Sequence, residues 1–241
     1  TLVQARLLRD GRKRTRWDER KPIPTYCIAI GVAEFSVARQ PRVNGVPLSW
    51  YSYPEDFAAA SRKLNRTTSA LAYFASLIGP YPYEKLAQVQ AATNFDGMEN
   101  AGAIFYKESL FQEVSDAPMA HEIAHQWFGN SVTQSDWDQL WLSEGFAEYS
   151  SLMYLQAVLG NDKFLDRVRD YRNDVFTARQ YLFTSGAESG PIALGYRTRS
   201  SETLEDYGLV IYKKAALVLH MLRNMLIDFQ TMNEDLFLTM M

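Results

Sequence analysis

Two histidines and two glutamates carry the most specific chemistry in this sequence. In His121-Glu122-Ile123-Ala124-His125 the histidines are four residues apart. On a helix that step is a turn of about 400°, so both imidazoles face one way, roughly 6 Å apart along the axis. Both can then reach a single ion at the Zn–N distance of about 2.0–2.1 Å. Glu122 sits beside such an ion without being a ligand, where a general base for water belongs. After 18 intervening residues comes Glu144, within Trp141-Leu142-Ser143-Glu144-Gly145-Phe146-Ala147-Glu148-Tyr149. Two imidazoles and one carboxylate leave the fourth tetrahedral position open. The spacing therefore reads as one zinc ion held by His121, His125 and Glu144. Only three histidines occur in the chain, and two are here.

The elements around these residues must bring two helices together. Ser115 or Asp116 can cap a helix with Pro118 in its first turn, running to about Gly129-Asn130. A second helix is expected from about Gln139 to Leu159, a third after Asn161-Asp162, and a last one opened by Asp206 and covering Leu209–Ile227. Upstream, Phe57, Leu64, Leu71, Phe74 and Ile78 mark one helical face, closed by Gly79-Pro80. Leu86–Thr93 and Ala103–Tyr106 read as strands flanking the loop Asn94–Gly102. Residues before position 54 read as β-structure: a hairpin turning at Asp10-Gly11, a buried strand over Thr25–Ala33, and a Pro/Tyr-rich linker from Pro41 to Pro54. Strands first and helices afterwards favour α+β over alternating α/β. Gly186–Arg199 reads as a polar loop.

Composition sets the outer limits. The chain has 241 residues, 47% apolar and 22% charged, with a formal net charge of −3. That is enough apolar surface for a substantial core and excludes a disordered or low-complexity chain. No run approaches the roughly 18–20 apolar residues of a membrane-spanning helix. The single cysteine, Cys27, excludes an internal disulfide and a thiolate-built zinc site. A first residue of Thr1, with no Met before Met98, reads as a piece of something longer, and no signal peptide is expected in it. Residues 1–21 hold eight Lys/Arg against three acids, whereas Glu108 to Asp162 has nine acids and no Lys or Arg. A cation-free segment is either mostly buried or built to hold positive charge. The basic cluster at 6–21 lacks a nucleic-acid fold signature and reads as a solvated hairpin face.

Three segments, His121–Asn130 (HEIAHQWFGN), Trp141–Tyr149 (WLSEGFAEY) and Gly97–Asn100 (GMEN), resemble the M1 family of zinc aminopeptidases (gluzincins) in residues, order and separation. Ile211-Tyr212-Lys213-Lys214-Ala215 is similar to the family's Tyr-x-Lys-Gly segment. The resemblance implies a thermolysin-like metallopeptidase domain at 54–241, preceded at 1–53 by the last strands of an N-terminal β-domain. It implies further domains of the same polypeptide on either side, one bound zinc, and a peptide substrate with a free N-terminus. It also implies roles. His121, His125 and Glu144 hold zinc, and Glu122 exchanges protons with water and the leaving amine. Tyr212 stabilises the oxyanion, and Glu99 anchors the substrate ammonium, with Gly97, Met98 and Asn100 lining the peptide site along a strand edge.

The chain departs from the family pattern at Asp96 and Gly97, which stand where Gly and Ala are usual, and at Ala215, where Gly is usual. Another amine-contacting residue of the family lies upstream of this chain. Asp96 reads either as reinforcement of ammonium binding or as a solvent-facing side chain. Glu148 reads equally as a support for a ligand histidine and as a surface carboxylate, and His220 as a packed or capping residue. Rival functions are an epoxide hydrolase of the same family and a zinc-binding structural fragment without turnover. A nucleic-acid partner would rest on the basic hairpin alone.

Overall fold

The computed structural model describes residues 2–111, 115–177, 190–193 and 204–241. The chain opens with an antiparallel hairpin, β1 (Leu2–Leu7) and β2 (Lys13–Trp17), exposed along its whole length. Then come β3 (Ser36–Val43), β4 (Val46–Ser52), the long helix α1 (Phe57–Leu77), β5 (Leu86–Ala91), the two-residue β6 (Gly97–Met98) and β7 (Ala103–Lys107). Helices follow: α2 (Glu108–Phe111), α3 (Asp116–Ala124), α4 (Trp141–Leu159), α5 (Asn161–Phe176), α6 (Leu204–Gly208), a π-helical segment at Leu209–Lys214, α7 (Ala215–Leu226) and α8 (Asp235–Met240). The class is α+β, as the order of strands and helices suggests. Among the described residues no helix is long and apolar enough to cross a membrane.

Strands β3 to β7 form one mixed sheet in the order β3-β4-β5-β7-β6. β4, β5 and β7 run parallel, and the two edge strands are antiparallel to their neighbours. β4 alternates strictly, burying Val46, Leu48, Trp50 and Ser52, which is the period-2 signature of a half-buried strand. Its Trp50 stacks on Tyr106 of β7 at 6.2 Å and donates from Nε1 to Thr67 Oγ1 of α1 at 3.0 Å. Leu71 and Phe74 of α1, with Met119, Ala120, Ile123 and Ala124 of α3, complete this core. A second core joins Tyr149, Leu152 and Met153 of α4 to Phe164 of α5, Leu219 of α7 and Phe237 of α8. Helix α4 is buried on nearly every side, as expected of an element between two cores. The chemistry sits where α3 and α4 meet.

Several local expectations change. Thr25–Ala33 is not a buried strand. Thr25–Cys27 is a short 3-10 turn with Cys27 buried, whereas Ile28, Ile30 and Val32 are 64%, 86% and 91% exposed. An apolar run becomes a buried strand only where a neighbour offers it an edge, and no strand pairs with this one among the described residues. The Pro/Tyr-rich passage read as a linker is most of the β3–β4 hairpin, Trp50 included. That hairpin hydrogen-bonds into the same sheet as β5, so the sheet runs unbroken across position 53. Phe57, placed on the inner face of α1, is 40% exposed. α3 ends at Ala124, about a turn early, and Asp206 lies inside α6 rather than ahead of it. The Gly186–Arg199 loop lies outside the described residues except for 190–193.

Candidate metal centre

His121 lies in the last turn of α3 and His125 caps it. The backbone N–H of His125 still donates to His121 O at 3.2 Å, so the four-residue step keeps its helical geometry. Glu144 projects from the first turn of α4. The three side chains converge. His121 Nε2 is 2.9 Å from His125 Nε2 and 3.3 Å from Glu144 Oε2, which lies 3.1 Å from His125 Nε2. Three ligands at about 2.0–2.1 Å from one ion, at tetrahedral corners, stand about 3.3–3.4 Å apart. The observed triangle fits within about 0.5 Å of that.

Tautomers sharpen the point. His125 Nδ1 faces the Phe128 carbonyl oxygen at 3.1 Å, and a carbonyl can only accept. His121 Nδ1 faces Glu148 Oε2 at 2.7 Å. The Phe128 carbonyl places the His125 proton on Nδ1 and leaves a lone pair on its Nε2. Two imidazole Nε2 atoms at 2.9 Å with a carboxylate oxygen beside both make a donor set that suits one cation. Glu144 Oε2 is moreover buried without a hydrogen-bond partner. Burial opposes charge on His121, yet the carboxylates of Glu144 and Glu148 hold its pKa well above the usual imidazole value, and His125 is raised against burial by Glu144 and Glu99. Glu144 is likewise buried, but the two imidazoles hold its carboxyl well below the ordinary range.

Glu122, one residue along, is buried beside this triangle. Burial pushes its carboxyl up to about 7 against the pull of His121, with the charge of Glu99 adding to the rise. A carboxyl poised near neutrality can both take and return a proton. It lies against the edge strand β6, where a β-carbon on Gly97 would stand 2.2 Å from Glu122 Oε1. The absent side chain is the space the carboxylate occupies. Tyr212, in the π-helical segment, stacks on the His121 ring (5.7 Å, 19°). Burial and the nearby Glu144 charge raise its phenol well above 10, so it stays an O–H donor. Glu99 has a carboxylate oxygen within 4.8 Å of ligating atoms of Glu122 and His125. Asn100 is buried at the end of this loop. Asp96 is exposed, 3.8 Å from Lys107 Nζ, so of its two readings the solvent-facing one holds.

The description "Peptidase family M1 domain" matches residues 62–236. The chain belongs to peptidase family M1. It is 33% identical over 230 residues to aminopeptidase N of Homo sapiens, covering 88% of this chain and 23% of that one. It is 32% identical over 224 residues to glutamyl aminopeptidase of Bos taurus, with the same shares of 88% and 23%. Among solved structures, the M1 zinc metallopeptidase from Deinococcus radiodurans superposes with a TM-score of 0.71 at 25% identity, over 95% of this chain and 49% of that one. The chain thus spans about a quarter of the length of these curated relatives and about half of that structure.

Some residues around the centre were not singled out in the sequence reading, and they tie the loops beside it together. Gln126 Nε2 and Asn130 Nδ2 both donate to the Glu99 carbonyl, at 3.1 and 2.6 Å. Gln126 Oε1 also accepts from Gly102 N at 2.8 Å, so the chain just past α3 grips the Gly97–Gly102 loop at two points. Cys27 Sγ donates to Asn130 Oδ1 at 2.9 Å and Tyr26 OH to Gly129 O at 3.2 Å, which pins the Thr25–Cys27 turn to the same corner. Gly129 has φ +102, and a β-carbon there would stand 2.1 Å from Ser143 Oγ, itself 3.2 Å from His125 Nδ1. Glu148, left open between two readings, contacts His121. Gln126, Gly129 and Asn130 lie inside the quoted HEIAHQWFGN segment; nothing in local sequence points to Cys27.

Proposed function

We propose that this chain is the core of the catalytic domain of a zinc-dependent aminopeptidase that removes N-terminal residues from peptides. The observation that carries the proposal is the Nε2–Nε2–Oε2 triangle of His121, His125 and Glu144, with Glu122 beside it. His121, His125 and Glu144 would hold the zinc ion, which when bound supplies Lewis-acid polarisation to a carbonyl and to a water molecule. Glu122 takes a proton from the attacking water and returns it to the nitrogen of the departing amine as the C–N bond breaks. Tyr212 donates its phenolic hydrogen to the scissile carbonyl oxygen as negative charge builds there. Glu99 accepts from the substrate's α-ammonium, and the one-peptide edge at Gly97–Met98 offers backbone pairing to an extended peptide. The identity to aminopeptidase N and glutamyl aminopeptidase supports the same reading.

The test pairs metal analysis with hydrolysis of an aminoacyl reporter. Glu122→Gln is expected to keep one zinc and lose turnover. Glu99→Ala is expected to keep the metal and lose the preference for free over acetylated N-termini. Wild-type rates in Glu122→Gln would refute the assignment of the base. Zinc without any turnover in the parent chain would favour a structural module instead.

A further inference from the structure

Helix α5 contributes no ligand and no group facing the triangle, yet one of its turns is wired to the centre. The Tyr171 hydroxyl donates a short hydrogen bond to Glu148 Oε1. The other oxygen of that carboxylate, Oε2, stands 2.7 Å from His121 Nδ1. Tyr171 is itself held. Lys213 Nζ lies 5.6 Å above its ring and pairs at 2.5 Å with Asp174 Oδ2, one helical turn beyond Tyr171. Lys213 adjoins Tyr212, whose ring stacks on His121. The contacts close a circuit: His121, Glu148, Tyr171, Lys213, Tyr212 and His121 again.

We propose that Tyr171 is a positioning residue for the metal, acting through Glu148, an inference that rests on the zinc reading above. A carboxylate on a flexible side chain has two equivalent oxygens and several rotamers. With one oxygen engaged by Tyr171, the other is committed to His121 Nδ1. A carboxylate oxygen held at that distance draws the imidazole proton to Nδ1 and so keeps Nε2 free to face the triangle. Partners of this kind typically contribute 10–100-fold in metal affinity or activity. Tyr171→Phe removes the hydroxyl and keeps the ring beneath Lys213.

The experiment is zinc competition against a chromophoric chelator for the parent chain, Tyr171→Phe, Glu148→Gln and the double variant. Absorption spectra of the cobalt-substituted forms report the ligand field. Tyr171→Phe is expected to weaken zinc binding about tenfold and to shift the cobalt bands, a change in the metal site that a loss of overall stability alone would not produce. In the Glu148→Gln background the same substitution is expected to add nothing, because the route through the carboxylate is already broken. Parental zinc affinity in Tyr171→Phe, or losses that add in the double variant, would overturn the proposal. If the parent itself binds no zinc, the metal reading fails; if the parent binds zinc and only these variants behave otherwise, Tyr171 alone is at fault.

Discussion

Helix α4, which carries Glu144, touches α7 at the junction with the Tyr212 segment through two small residues. A β-carbon on Gly145 would lie 2.6 Å from Ala215 Cβ. Carbon atoms in contact sit about 3.5–4.0 Å apart, so Gly145→Ala is short by about 1 Å. Relieving the overlap costs about 1–3 kcal/mol, and the better helix propensity of Ala returns about 0.5–1 kcal/mol. A net loss of up to about 2.5 kcal/mol is expected, a melting-point drop of up to about 10 °C for a chain of this size. The effect on turnover is larger. If the helices part to relieve the clash, Tyr212 moves about 1 Å from the triangle, and such a displacement can lower rate about 100-fold. Ala215→Gly in the same chain should reverse both effects. With that methyl gone, the nearest atoms of residue 215 lie at 3.5 and 3.6 Å, ordinary contact, and the two propensity changes cancel. Thermal melts and kcat for the single and double variants check this. A Gly145→Ala chain with parental melting point and kcat, or a double variant no better than the single, would refute the argument.

Asn130→Ala should raise KM for substrates with a free amine and destabilise the fold by about 1–3 kcal/mol, because the Glu99 carbonyl loses its shorter bond and Cys27 its acceptor. Kinetics with urea denaturation tests it, and a parental KM would count against the link from Asn130 to the amine anchor. His220 gives a pH dependence. Its pKa is depressed below 6.5 by burial and by Arg223, so as pH falls the unfolded chain takes up the proton first. Its contribution is whole above about pH 6.5 and is lost as pH drops through the depressed folded value. Urea midpoints of the metal-free protein between about pH 7.5 and about pH 5.5 should fall more steeply in the parent than in His220→Gln; equal slopes would exclude it.

What the sequence made legible was local and periodic. His121, His125 and Glu144 were readable because a four-residue helical step and a second helix suffice to bring them together. The exposed basic hairpin, with its Asp10-Gly11 turn, followed from turn chemistry. The failures had non-local causes. Ile28, Ile30 and Val32 have the composition of a buried strand, but composition does not say whether an edge is available. Trp50 looked like a linker residue because Pro47 and Pro54 punctuate its neighbourhood, and only the sheet reveals its alternation. Glu148 and Tyr171 are 23 residues apart on two helices, and nothing in either segment announces that they meet. The grip of Gln126 and Asn130 on a backbone carbonyl was equally hidden, since carbonyls leave no mark in a sequence.

The Leu209–Lys214 segment, where Ala215 N–H reaches back to Val210 O as well as to Tyr212 O, holds one more residue than an α-helix would over the same turn. Side chains advance about 100° per residue along an α-helix. Excising a single residue here would let the winding relax to ordinary α geometry while swinging Tyr212 about 100° off the His121 ring. The count of residues between Asp206 and Ala215 thus decides both which side chains pack inward beside Val210 and Ile211 and where the Tyr212 ring comes to rest.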